Sequence, residues 1–170
     1  MVLFRRKYET IHLALSCFTH GLRNLCGDLL SPDFSQGLTV ELESYVDVIA
    51  GLAPHLEITR RLDRDDGSLL PQQRAMIFRI GRTLLRNVVR HAAAQKLTVI
   101  LTREKTSWLL RVEDNGKGFT VPENWESYKR EKHYGMYMAN TFAQSMGGTM
   151  TVTSKPGHGT RIDVRIPITT

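Results

Sequence analysis

The chain has 170 residues, 41% of them hydrophobic, and 23 Lys or Arg against 17 Asp or Glu for a net charge of +6. That supports one domain with a real core and a short appendage, and the charge favours an anionic partner of some kind. No apolar run approaches the ~18–20 residues that cross a bilayer and no signal-peptide core follows Met1, so no membrane segment is expected within this chain.

Residues 3–30 read as a helix, which Ser31-Pro32 ends because the residue before a proline avoids the helical region. Cys17 and Cys26 fall on it nine residues apart, ~13 Å at ~1.5 Å per residue, too far to bridge. They read as reduced packing thiols, so the expected location is cytoplasmic. A second helix is expected over 38–52, and residues 55–61 alternate as a strand. The acidic run Asp63, Asp65, Asp66 then forms a loop, and Leu70-Pro71 opens a long helix.

On that helix Ile77, Ile80, Leu84 and Val88 share one arc, and Arg79, Arg82, Arg86 and Arg90 share another. Asn87 lies between the two arcs, and His91 falls on the apolar one, where packing is its ordinary role. From Gly67 through Arg103 there are seven Arg or Lys and no Asp or Glu. Like charges three and four apart destabilise a helix unless an anion answers them, and the acidic loop is one candidate for it. Surface pairs of that kind contribute little.

Strands follow at 97–102 and 107–113, and Asp114-Asn115-Gly116-Lys117-Gly118 breaks the second. Residues 120–134 have no period and read as a mobile loop. A helix over 135–146 ends at Gly147-Gly148, and strands 149–154 and 160–167 close the chain around the Lys155–Gly159 turn. Hairpin-linked strands with intervening helices predict an α+β two-layer sandwich, a mixed and mostly antiparallel sheet with helices on one face, behind an N-terminal helix.

A carboxylate at a strand end followed by two spaced glycines can meet a ligand with no side chains in the way. Alone, Asp114-Asn115-Gly116 is also a plain turn signal, and Gly157-His158-Gly159-Thr160 is most simply a hairpin. It is neither a dinucleotide fingerprint nor a phosphate loop. In sequence order, however, the segments Asn87–Ala92, Asp114–Gly118, His133-Tyr134-Gly135-Met136 and Gly157–Thr160 resemble the N box and glycine boxes of the ATP-binding domain of sensor histidine kinases. That domain belongs to the Bergerat-fold, or GHKL, ATPase superfamily. The nearest likeness is to the nitrate/nitrite-sensor group, and it covers about residues 10–168. Leu22–Pro32 resembles the second dimerisation helix of that group.

The resemblance implies ATP and Mg²⁺ as cofactors, with Asn87 on the metal and Arg90 and His91 facing the triphosphate. It implies Asp114 on the adenine amine, with Gly116 and Gly118 letting the base in. His133, Gly135, Met136, Gly159 and Thr160 complete the ATP-binding set, and residues 120–134 would be the ATP lid. It further implies a remnant of the dimerisation region over 1–33, a catalytic domain over 34–170 and a response regulator as partner. A homodimer through the N-terminal helix stays open. Nucleic acid is not expected, because aromatics do not interleave the basic residues.

Two features depart from the family pattern. Thr83 stands where the N box carries a glutamate, and threonine is a poor general base. His12 and His20 are followed by Leu13 and Gly21, not by an acid, so neither fits the phosphoacceptor. The expectation is therefore a phosphoryl-donor domain weakened at Thr83. The alternative is a catalytically inactive kinase-like interaction protein.

Overall fold

The computed structural model describes residues 34–122 and 134–168. The helix expected over 3–30, both cysteines, His133 and the rest of 123–133 lie outside the described residues. A 3-10 turn, Phe34–Gln36, leads into α1 (Leu38–Leu52), β1 (Glu57–Leu62) and α2 (Pro71–Asn87). A π turn, Val88–Ala92, extends α2. Strands β2 (Lys96–Arg103) and β3 (Ser107–Asp114), helix α3 (Tyr134–Ser145), and strands β4 (Thr149–Ser154) and β5 (Thr160–Pro167) follow.

The five strands form one sheet in the order β1-β2-β3-β5-β4. Only β1 and β2 run parallel, joined by the α2 crossover; the other neighbours are antiparallel. Alternation sets the two faces. Leu97, Val99 and Leu101 of β2, Trp108, Leu110 and Val112 of β3, and Ile162, Val164 and Ile166 of β5 join one core with the helices. The register lines them up in rows, such as Leu101–Leu110–Val164 and Val99–Val112–Ile162. The helices close that face with Leu38, Leu42, Val46 and Ile49 of α1, and Ile77, Ile80, Leu84 and Leu85 of α2, each at most 1% exposed. Burying such a side chain stabilises by about 1.5–3 kcal/mol. The expected mixed, mostly antiparallel two-layer sandwich is what forms.

The opposite face of the sheet carries charges in pairs. Arg111 grips Asp163 with two bonds of 2.6 Å, Arg161 reaches Glu113 at 2.7 Å, and Arg165 reaches Glu104 at 3.3 Å. A solvated face of this kind is usual for antiparallel pairing.

Two local features differ from expectation. The acidic loop pairs with Arg74 (2.6 Å from Asp65) and Arg103 (2.7 Å from Asp66), and Asp63 lies near Arg61. Arg74 lies one turn before the stripe of four arginines and Arg103 lies on β2, so the loop has cations of its own. The long helix, read as α-helical through Ala92, opens into its π turn at Val88 and stops at Ala93 in the left-handed region, φ 50°. A π turn advances each residue less than an α turn does, so faces counted at 3.6 residues per turn no longer hold past Val88.

Candidate functional site

The last core-facing position of β3 is not apolar. Alternation runs Trp108, Leu110, Val112 and then Asp114, opposite Leu97 on β2 and Thr160 on β5. A carboxylate thus sits where the row demands a hydrophobe, 9% exposed. Burial pushes the Asp114 carboxyl above its ordinary range, while the backbone amides of Gly116 and Thr160 pull the other way. The Gly116 N–H donates to Asp114 Oδ1 at 2.8 Å. An ionised carboxylate has about four acceptor sites, so capacity remains for a donor in the space in front of it.

That space is a cavity of about 260 Å³ between the end of the sheet, the π turn and the start of α3. Asp114 and Thr160 form its polar edge, and Leu84, Val88, Val112, Phe119, Met136 and Ile162 its apolar walls. Asn87, His91 and Gly135 line it from the two helices, and Lys117 and Gly118 from the loop after β3. Gly135 stands close to α2: a Cβ there would lie 3.1 Å from Thr83 Cγ2 and 3.8 Å from both terminal atoms of Asn87.

Of the residues expected at the site, the structure brings together Asn87, His91, Asp114, Gly118, Gly135, Met136 and Thr160 on one cavity. His91 is exposed there and does not pack in the core, because the π turn changes the face it occupies. Arg90 is exposed and not among the lining residues. Thr83 lies one turn before Asn87, its hydroxyl donating to the Arg79 carbonyl at 2.9 Å.

Gly116 and Gly159 do not line the cavity either; both are close-packing positions. A Cβ on Gly116 would stand 2.2 Å from the Ala92 carbonyl oxygen, and one on Gly159, where φ is +73°, 2.0 Å from the Asp114 carbonyl oxygen. Gly116 therefore points at the π turn, and what it supplies is the seating of the Asp114 loop. Gly118 lines the cavity, but its φ of +57° and a contact of 2.1 Å from its would-be Cβ to the Lys155 carbonyl show the same packing demand.

Side chains not anticipated do much of the holding. Asn115 Oδ1 accepts the amides of Gln95 and Lys96 at 2.9 and 2.8 Å, tying the β3 end to the start of β2. Ser154 Oγ donates to the Gly159 carbonyl, lies 2.9 Å from Thr160 Oγ1 and accepts the Phe119 amide. Of the apolar walls, Leu84 and Val88 were visible on the apolar arc of the long helix, and Met136 through the resemblance. Lys117 and Ser154 carry no sequence signal beyond their places in a turn and on a strand.

The family model of the histidine kinase-, DNA gyrase B- and HSP90-like ATPases matches residues 72–170, more than half the chain. Sensor protein VraS of Staphylococcus haemolyticus is 39% identical over 92 residues, 54% of this chain and 25% of that protein. VraS of Staphylococcus aureus matches with the same identity and coverage. The chain thus spans about a quarter of the length of these curated relatives. Among solved structures, the histidine kinase domain of a blue-light activated kinase from Erythrobacter litoralis superposes with a TM-score of 0.65 at 20% identity. The match covers 77% of this chain and 61% of that one. The ATP-binding domain of PrrB from Mycobacterium tuberculosis gives 0.61 at 21% identity, covering 78% and 95%. At those identities the structural likeness speaks for the fold.

Proposed function

The chain belongs to the histidine kinase-, DNA gyrase B- and HSP90-like ATPases, the superfamily its motifs resemble, and from that premise we propose that its cavity binds ATP with magnesium as the phosphoryl-donor unit of a two-component sensor kinase. The observation that carries the proposal is Asp114: a buried carboxylate with spare acceptor capacity facing an apolar slot. An exocyclic amine on a flat ring satisfies that slot, its N–H accepted by the carboxylate and one face of the ring covered by Val112, Ile162 and Met136. About 260 Å³ is near the lower end of ligand pockets, ~300–1,000 Å³, so the base would fill it and the phosphates would lie at the mouth by Asn87, His91 and Gly135.

Among the described residues no group of three or more His, Cys, Asp or Glu could hold a metal ion. The donor set suits a magnesium ion that arrives on the phosphates, with the Asn87 amide oxygen as this chain's ligand. Bound there, the ion would neutralise charge on the phosphates; the chain's own residues bind and orient the nucleotide. In this reading residues 34–170 are the nucleotide-binding unit and residues 1–33 belong to the dimerisation region. A response regulator is the downstream partner, and the location is cytoplasmic. Arg90, exposed beside His91, would serve the phosphates only at the rim.

Transfer is proposed to be slow. Thr83 offers no general base: its hydroxyl is committed to the Arg79 carbonyl, and its methyl faces Gly135. That observation also favours the second reading, a kinase-like protein that binds nucleotide to control a partner.

Calorimetric titration of the full chain with ATP and Mg²⁺ tests the binding. Wild type should bind saturably and Asp114→Asn at least tenfold more weakly; absence of heat from wild type removes the proposal. Turnover with a supplied acceptor domain then separates the two readings. Thr83→Glu should raise the rate if only the base is missing, and no turnover in either variant leaves the binding protein.

A further inference from the structure

Lys117 occupies an unusual place at the cavity, between two glycines that each pack against backbone. Its own backbone is held from both sides. The Lys117 N–H donates to the Ala92 carbonyl at 2.8 Å, and its carbonyl accepts the Gly157 N–H at 2.7 Å. The side chain therefore starts from a point fixed between the π turn and the β4–β5 hairpin. The residue is exposed and yet lines the cavity, three positions along the chain from Asp114.

Its charge has no obvious structural use. Among the described residues, no carboxylate lies within ion-pair distance of the Lys117 ammonium. An exposed lysine at the cavity's edge can keep its ammonium in water while its methylene stem lies along the cavity wall. A lysine so arranged covers an apolar surface with its stem and keeps its head in water.

Resting on the nucleotide reading above, we infer that Lys117 is a base-recognition residue, its stem closing over the exposed face of the purine ring whose amine Asp114 accepts. Standing over the solvent side of that face, within reach of both ring and water, the ammonium adds an attraction to the ring. The contact belongs to the base and not to the phosphates, so it is shared by adenosine, ADP and ATP and depends little on salt.

The test measures the affinities of the full chain for adenosine, ADP and ATP by competition against a fluorescent ATP analogue. Wild type is compared with Lys117→Ala, Lys117→Met and Lys117→Arg. Lys117→Ala should weaken all three ligands by the same factor, about 3- to 10-fold, the scale of an exposed ring–cation contact plus lost stem cover. Lys117→Met, which keeps a stem, should recover at least part of the loss, and Lys117→Arg most of it. A merely structural lysine would not be rescued in that order, and thermal midpoints should stay within about 2 °C across the series. A loss confined to ADP and ATP that fades with salt would overturn the inference, since it would place the ammonium on the phosphates. Unchanged affinities in Lys117→Ala would overturn it too. Either result is distinct from failure of the nucleotide reading itself, in which wild type binds none of the three ligands.

Discussion

Replacing Gly116 by alanine adds one methyl group at a point where the fold has no room for it. Gly116 is not among the glycines with positive φ, so an alanine meets no backbone strain there. The obstacle is entirely steric: the new Cβ would stand 2.2 Å from the Ala92 carbonyl oxygen, 2.8 Å from its carbon and 2.9 Å from Ala92 Cβ. Relief requires the loop and the π turn to separate by about 1 Å, since ordinary van der Waals contact begins at about 3.4 Å. The Lys117 amide bond to the same carbonyl, 2.8 Å, cannot survive that movement. Overpacking of about 1–3 kcal/mol plus one hydrogen bond of about 1 kcal/mol gives a loss of about 2–4 kcal/mol. At about 2–4 °C per kcal/mol for a chain of this size, the thermal midpoint should fall by about 4–16 °C. Gly51→Ala is the matched control: it lies in α1 with nothing within 4 Å of the new methyl, and should stabilise by about 0.5–1 kcal/mol. Urea unfolding followed by circular dichroism reads both. A Gly116→Ala variant within about 0.5 kcal/mol of wild type would refute the packing argument and return Gly116 to a ligand-facing role.

Two pH predictions have opposite signs. Asp163 is held below the ordinary carboxylate range, first by its bidentate bond to Arg111, so its contribution is present above the unfolded value of about 3.9 and lost as pH falls through the folded one. Asp163→Asn should cost about 1–2 kcal/mol at pH 7, with the gap to wild type shrinking below about pH 4; a gap constant with pH in urea titrations would sink this account. Asp114 is raised by burial, so its contribution is present below about pH 3.9 and lost as pH rises through the folded value. The ligand-free Asp114→Asn protein should therefore gain stability relative to wild type as pH climbs from about 4 to 7, and a midpoint difference, variant minus wild type, that stays constant or falls over that span would contradict it.

Much of the fold could be read from local pattern. The α1 boundaries, 38–52, and the strands 149–154 and 160–167 coincide with the expected spans because each pattern is long, regular and bounded by Gly or Pro. Asp114 was conspicuous as a candidate, a carboxylate followed by spaced glycines, although only the order of all the motifs set it apart from a plain turn. That it ends the core-facing row of β3 became evident only with the register of three strands. What escaped the reading depends on contacts between distant segments. The π turn follows from no periodicity in Val88–Ala92, and the packing role of Gly116 exists only because Ala92 lies against it. Ser154 joins Phe119, Gly159 and Thr160 through one hydroxyl, and nothing in a strand of alternating threonines marks it.

The cavity can be understood as the point where the core pattern is left unfinished. Two rows of the sheet, Val99–Val112–Ile162 and Leu101–Leu110–Val164, are completed by apolar partners from the helices. The next row, Leu97–Asp114–Thr160, turns polar toward β5 at the place where α2 opens into its π turn and α3 begins with Gly135 against Thr83 and Asn87. Filling Asp114 with leucine would continue the row and remove a buried carboxylate, a change that favours stability. The row is kept open instead, and the loop that carries the carboxylate is clamped by Asn115, Gly116, Lys117 and Ser154. Rigid support around an energetically unfavourable group is the arrangement expected of a site whose ligand supplies the missing half of the contact. On that argument the helix of arginines matters less to the nucleotide than its terminus does, because only Leu84, Asn87, Val88, His91 and Ala92 of that helix and its π turn reach the cavity.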